Sequence, residues 1–353
     1  MKDELVISID AMGGDNAPRI VIEGIDFFLK NIDHGQNISF LLHGDEGLIS
    51  EFLQKTSHAK SQTQIQHTSK AIDMDEKPSA ALRRGKGSSL WNTIESVKSG
   101  DAKIAVSAGN TGGLMAISKV RLRMMPGVQR PALAAQWPNP NGASVVLDVG
   151  ANVDCDAAQL TEFAVMGEAF YRAVFYKQRP SVGLLNVGVE EGKGNAVVNA
   201  AHDRLNESKL GLNYIGYVEG NDISMGGADV IVTDGFSGNI ALKASEGTAK
   251  LVQSYLRMAL KTGLWSKFTT ALNSISFARL KKKIDPRNVN GAVLLGLNGL
   301  VIKSHGGTDA IGYANALKVA VSLAQGDFLS EIDRTLTALH DEDADIGLSL
   351  IHI

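Results

Sequence analysis

The sequence predicts a mostly parallel β-sheet covered by helices. Three observations predict it. Short β-branched runs alternate with longer amphipathic stretches almost throughout, the pattern of strands joined by helical crossovers. Glycines and small polar residues gather just after the strand-like runs, where open parallel sheets bind ligands. Of the 353 residues, 44% are hydrophobic and 21% charged, which supplies a large core.

The first strand is expected over 5–9, and Gly13-Gly14 ends it abruptly. Asp10, Asp15 and Asn16 flank that break, and Pro18 suits the first turn of a helix over 20–29 with Asn16 as candidate N-cap. A lone Gly-Gly is read most simply as a tight turn, but two carboxylates and an Asn within six positions favour a ligand crevice. Further strands are expected over 38–43, 104–107, 144–149, 182–187, 213–218, 230–233 and 299–303. Helical periodicity covers 80–97, 157–174, 195–205, 238–260 and 310–323. Polar loops follow at 107–113, 148–154, 186–194, 233–239 and 303–309, and they are expected to converge on one rim. With no repeat or low-complexity linker, residues 1–340 read as one unit with a helical excursion at about 256–286, and 341–353 as a tail without assigned function.

Composition narrows the function. A net charge of −3 argues against a nucleic-acid partner. The single Cys155 excludes an internal disulfide and a cysteine metal cage, and fits a reducing cytoplasm. Lys2-Asp3-Glu4 leads straight into a strand, so no secretory leader is expected, and no apolar run is long enough to span a membrane.

The loops suit a small oxyanion. Asn110-Thr111-Gly112-Gly113 and Ser237-Gly238-Asn239 read as strand-to-helix turns, where backbone N–H groups and the helix dipole favour phosphate. Neither is a nucleotide phosphate loop or a dinucleotide fingerprint. Lys303 and His305, two apart in an extended segment, are expected on one face, so that an anion meets an ammonium and a ring N–H together. A surface lysine with a capping histidine is the plainer alternative, as a solvated loop is for Glu190, Glu191 and Lys193. There is no G-x-S-x-G elbow and no paired histidine spacing. Asp10, Asp15, Asp148, Asp154 and Asp234 are explained by hydrogen bonding as readily as by magnesium, so neither metal nor cofactor is expected.

A second signal lies in 247–284, which holds no Asp or Glu but eight Lys or Arg, among them Lys281, Lys282 and Lys283. Leu264, Phe268, Leu272 and Ile275 share one helical face, with Trp265 beside them. Such a segment reads as a membrane-interface element or a dock for an acidic partner, with a core-packed helix as the alternative.

These residues resemble a known family, the phosphate acyltransferases of bacterial phospholipid synthesis (the PlsX family). The resemblance rests on I-D-A-M-G-G-D-N-A-P at 9–18, S-A-G-N-T-G at 107–112, D-V-G-A-N at 148–152, L-L-N-V-G-V-E-E-G-K-G-N at 184–195, T-D-G-F-S-G-N at 233–239 and I-K-S-H-G at 302–306. It implies a three-layer α/β/α sandwich similar to phosphate acetyltransferase and isocitrate/isopropylmalate dehydrogenase, assembled as a homodimer. It implies transfer of a fatty acyl group from acyl carrier protein to inorganic phosphate, giving acyl phosphate for a downstream glycerol-3-phosphate acyltransferase. It also implies a cytoplasmic protein held peripherally at the inner face of the plasma membrane.

On that reading Lys303, His305, Asp234 and Asn239 are the expected catalytic residues. Asp10, Gly13, Gly14, Asp15, Asn110, Thr111, Gly112, Asn152, Glu191 and Lys193 are expected to bind phosphate or border the entrance. Leu264, Trp265, Phe268, Leu272, Lys281, Lys282 and Lys283 form the expected membrane or partner surface, and Arg83, Arg84 and Lys86 are a second place for the acidic carrier. The rival readings are another acyltransferase or dehydrogenase on the same scaffold, and a non-catalytic membrane scaffold for lipid synthesis.

Overall fold

The computed structural model describes residues 4–32, 37–190, 192–261, 285–326 and 328–351. Among them eleven strands form one sheet: β1 (Leu5–Asp10), β2 (Ile38–Gly44), β3 (Thr63–His67), β4 (Ile104–Ser107), β5 (Ala132–Asn139), β6 (Gly142–Leu147), β7 (Ser181–Leu185), β8 (Asn213–Val218), β9 (Val230–Val232), β10 (Ala292–Leu295) and β11 (Leu300–Lys303), in the order β3-β2-β1-β4-β11-β10-β5-β6-β9-β7-β8. The helices are α1 (Arg19–Asn31), α2 (Glu46–Leu53), α3 (Pro78–Arg84), α4 (Ser89–Ser99), α5 (Thr111–Leu122), α6 (Ala157–Phe175), α7 (Ala196–Glu207), α8 (Gly220–Met225), α9 (Gly235–Lys261), α10 (Ala310–Ala324) and α11 (Phe328–Ile351).

Strand alternation sorts the core into two layers. Ile7, Ile9, Ile104, Val106, Val145, Leu147, Leu300 and Ile302 face one way, against Phe28 of α1, Phe163 of α6 and Tyr313 of α10. Ala105, Val146, Ile231, Leu294 and Val301 face the other way, against Leu90 and Ile94 of α4 and Ile117 of α5. A sheet with both faces covered in this way is a three-layer α/β/α sandwich.

Most pairings are parallel, as expected, but β10 is antiparallel to both β11 and β5, and β5 is antiparallel to β6. Three consecutive reversals have a consequence for the loops. Strands β1 to β4 and β11 run one way, while β6 to β9 run the other. The polar loops after β1, β4 and β11 therefore leave one end of the sheet, and those after β6, β7 and β9 leave the opposite end. The expectation of a single rim is corrected accordingly.

Other differences have local causes. The stretch 80–97 is two helices, because Gly87 at φ +80° turns the chain and the Ser88 side chain caps α4 on the Trp91 N–H. Pro18 is the N-cap of α1, without a side-chain cap bond, so Asn16 does not cap it. Strands β3, β5 and β10 carried too little β-branched alternation to be anticipated. Helix α11 runs through the boundary expected at 340, and Glu342 accepts from Ser208 Oγ at 3.0 Å and the Lys209 N–H at 3.1 Å. Among the described residues no helix is long and apolar enough to cross a membrane.

Candidate active site

Three adjacent parallel strands end side by side. Register pairs Asp10 with Ser107 and Ser107 with Lys303, so their side chains form one row on the face covered by α4 and α5. Ser107 Oγ donates to Asp10 Oδ2 at 2.7 Å and accepts the Gly109 N–H at 2.9 Å. Asp10 is 2% exposed, and burial pushes its carboxyl above the ordinary range against the opposing pull of hydrogen bonds from Ser89 and Ser107 and the charge of Lys303.

Lys303 is 9% exposed; its ammonium donates to the Ala108 carbonyl at 3.3 Å and to that of Ser304. Burial pulls its pKa from 10.5 down to about 8, with Asp10 and Asp15 resisting. A charge this deep is costly unless something opposes it.

Glycine is obligatory where these turns cross. A Cβ on Gly13 would lie 2.4 Å from Asp10 Oδ2 and 2.7 Å from the Gly109 nitrogen. Gly14, at φ +109°, sits against Ala108 and the Gly306 carbonyl, and the Asp15 N–H donates to that same carbonyl at 3.0 Å. The Asp15 carboxylate is exposed beside Gly306 and Gly307.

His305 departs from the expected alternation. β11 ends at Lys303, so Lys303 turns inward and His305 lies exposed on the following turn. Its Nδ1 accepts the Gly307 N–H at 3.1 Å, which assigns the proton of the neutral ring to Nε2 and leaves that N–H as a donor.

Asn110 is a holder of structure. Its Oδ1 caps α5 on the Gly113 N–H at 2.7 Å, and its Nδ2 donates to the carbonyls of Asp73, Met74 and Glu76. The 73–76 loop is thereby fastened beside the site, with Met74 Cε against Gly306. Thr111 and Gly112 open α5, and Gly112 packs on Pro78.

The other expected residues form a second set at the opposite end of the sheet. Asp148 Oδ1 accepts the N–H groups of Leu133, Gly150 and Ala151, and its Oδ2 accepts the backbone and side-chain N–H of Asn152. Asn152 also donates to the Pro131 carbonyl and accepts the Gly235 N–H. Asp234 takes the Ser237 N–H at 2.8 Å and the Ser237 hydroxyl at 3.0 Å at the start of α9. Asn239 packs over Gly150. Lys193 pairs with Glu190 at 2.8 Å, both exposed, and its carbonyl accepts from Asn186.

The structure thus joins Asp10, Gly13, Gly14, Asp15, Asn110 and Lys303 with the His305 turn. It gathers Asn152, Asp234 and Asn239 elsewhere, with Lys193 on the neighbouring loop after β7. Glu191, Leu264, Trp265, Phe268, Leu272, Lys281, Lys282 and Lys283 lie outside the described residues. Sequence reasoning placed Ser107 in a polar loop and in the S-A-G-N-T-G motif without giving it a role, and missed Ser89, whose only signal was a small polar residue at a helix start. Among the described residues no group of three or more His, Cys, Asp or Glu is arranged to hold a metal ion.

Comparison with known proteins agrees with this architecture. The family profile described as "Fatty acid synthesis protein" matches residues 5–331. A phosphate acyltransferase of Maricaulis maris is 54% identical over 331 residues, covering 94% of each chain. One from Caulobacter vibrioides is 51% identical over 339 residues, covering 96% of this chain and 93% of its own. In fold the chain is similar to a phosphotransacetylase from Streptococcus pyogenes, with a TM-score of 0.61 at 18% identity, covering 91% and 94% of the two chains.

Proposed function

The chain belongs to the fatty acid synthesis protein family and is an acyltransferase, and we propose that it moves a fatty acyl group from acyl carrier protein to inorganic phosphate, releasing acyl phosphate for phospholipid synthesis. The observation that carries this reading is the buried Lys303 ammonium at the end of a glycine-lined row, with the His305 Nε2–H exposed one turn further on.

The chemistry asks for little acid–base work. A phosphate oxygen attacks the thioester carbonyl carbon, the C–S bond breaks, and the carrier thiolate departs. Inorganic phosphate loses its second proton near neutrality, so a substantial share is already dianionic and nucleophilic, and a thiol of pKa about 8.5 is a fair leaving group. Position and charge stabilisation dominate such a step. Lys303 supplies fixed positive charge, and His305 Nε2–H supplies a donor to phosphate or to the tetrahedral oxyanion. Asp10 and Asn110 hold the turns through Ser107 and the 73–76 loop. Asp234 and Asn152 hold the second set of loops, where Asn239 packs over Gly150 and Lys193 pairs with Glu190, at the other end of the sheet from Lys303.

Purified protein given long-chain acyl-[acyl carrier protein] should consume thioester only when phosphate is present, with the acyl phosphate trapped by hydroxylamine. His305→Ala and Lys303→Ala should lower that rate about 100- to 1,000-fold, the usual cost of losing an oxyanion donor. Turnover independent of phosphate would defeat the reading, and no turnover at all would favour the scaffold alternative.

Peripheral attachment to the cytoplasmic face of the membrane, through Leu264, Trp265, Phe268, Leu272 and Lys281 to Lys283, belongs to the same proposal, as does a homodimer. Flotation with anionic vesicles should be lost in the Leu264→Glu, Phe268→Glu double variant. Unchanged flotation would remove the membrane role.

A further inference from the structure

Asn290 sits where an antiparallel ladder gives out. Register pairs Ala292 with Lys303 and Val293 with Ile302, and continuing it brings position 290 opposite His305. The ladder stops at Gly291, which holds φ +113° against α10, where a Cβ would come within 2.9 Å of Ala316 Cα. Beyond that break the Asn290 side chain makes the cross-strand bonds instead. Its Oδ1 accepts the His305 N–H at 3.0 Å, and its Nδ2 donates to Ser304 Oγ and to the Gly312 carbonyl, each at 2.8 Å.

The amide has one orientation that satisfies these partners. A backbone N–H can only donate and a carbonyl can only accept, so turning the amide over would break two bonds at once. The half-buried Asn290 therefore ties three points together: the last residue before His305, the His305 backbone itself and the first turn of α10. The surrounding turn is braced as well. Arg287 is gripped by Asp285 and donates to Asp309 at 2.8 Å, and Asp309 caps α10 on the Gly312 N–H at 3.0 Å. Among the described residues, the His305 ring makes a hydrogen bond just to the Gly307 N–H of the same turn, so the backbone bond to Asn290 is what fixes its place.

We propose that Asn290 is the positioning residue for His305, fixing the turn that presents the imidazole Nε2–H to the phosphate or the tetrahedral oxyanion. The proposal rests on the role given to His305 above, and it adds the element that aims it. Such an anchor acts on the reaction step more than on binding, since the Asn290 amide bonds the His305 N–H directly and reaches Lys303 and the glycine turns only through the intervening chain. A displacement of about 1 Å at a reacting group can cost about a hundredfold in rate.

The test compares His305→Ala, Asn290→Ala, Asn290→Asp and Ser304→Ala in the full-length protein, using inorganic phosphate and long-chain acyl-[acyl carrier protein], with thermal melts alongside. Asn290→Ala should lower kcat about 10- to 100-fold with KM for phosphate changed less than about threefold. Asn290→Asp keeps the acceptor for the His305 N–H and should recover most of that kcat. Ser304→Ala removes the acceptor of one Asn290 Nδ2 bond and should lower kcat in the same direction as Asn290→Ala but by less. If His305→Ala is inactive while Asn290→Ala keeps kcat within about twofold, the positioning role is overturned by itself. If Asn290→Ala and Asn290→Asp lose activity equally and in step with their melting temperatures, the role is structural and the proposal fails. If His305→Ala remains active, both the proposal and the reading beneath it fall.

Discussion

Replacing Lys303 with methionine should make the protein more stable and almost inactive. The side chain is nearly excluded from water, and burial lowers its pKa from 10.5 to about 8 despite Asp10 and Asp15. At about 1.4 kcal/mol per pH unit, that gap corresponds to about 3 kcal/mol of stability withheld while the ammonium stays charged. The sign follows from proton counting. Between pH 8 and 10.5 the folded protein has released this proton while the unfolded chain still holds it, so stability rises with pH across that window. Methionine keeps the apolar stem and removes the charge. Asp10 then loses the opposing charge of Lys303, which offsets part of the gain, so the net stabilisation at pH 7 should be about 1–3 kcal/mol. Urea denaturation at pH 7 and pH 9.5 measures it: the variant's advantage should shrink at the higher pH, as the parent sheds its proton. The phosphate-dependent rate should fall about 100- to 1,000-fold. A variant less stable than the parent at both pH values, or one with undiminished turnover, would refute a buried charge retained for function.

Gly13→Ala drives a methyl group into Asp10 Oδ2 and the Gly109 nitrogen, and should cost about 1–3 kcal/mol along with phosphate-dependent activity; Gly247→Ala, on α9 with open space around its Cβ, should instead gain about 0.5–1 kcal/mol at full activity. Burial holds the His43 imidazole at a pKa of about 4, between Ser8 and Ser96 hydroxyls at 3.1 Å each. Its contribution to stability is therefore complete above pH 6.5 and is lost as pH falls toward 4, so His43→Gln should flatten the acid side of the stability profile measured by thermal melts. Burial, with Asp148 adding to it, pushes the Cys155 thiol up to about 12, so iodoacetamide at pH 8 should neither label it rapidly nor reduce turnover.

The glycine-cornered turn at 10–15 was legible because strand, break and helix follow within a few residues, each with strong local preference. Strands β3 and β5 were not. Thr63–His67 is polar along an exposed edge, and Ala132–Asn139 is alanine-rich and acquires its strand character from the neighbours β10 and β6. The pairing of Lys303 with His305 was drawn from a period of two, which holds only within a strand. The strand ends at Lys303, and the next bond made by His305 is to Asn290, outside any alternation. Asp234 and Asn239 carry the same turn chemistry as the residues near Lys303, so nothing local separates the two sets of loops.

Sequence by itself determined the layered α/β class, the glycine turns and the residue types fit for an anion, because propensity and periodicity act over a few neighbouring positions. Only the tertiary structure decided which turns meet. Three antiparallel pairings in the middle of the sheet reverse the later strands, so loops of like composition leave opposite ends. Long-range register likewise aligns Asp10, Ser107 and Lys303 in one buried row, and it sets the Asn290 amide against the His305 backbone. The Lys303 ammonium and the Ala108 carbonyl it bonds are 195 positions apart, where no local preference reaches.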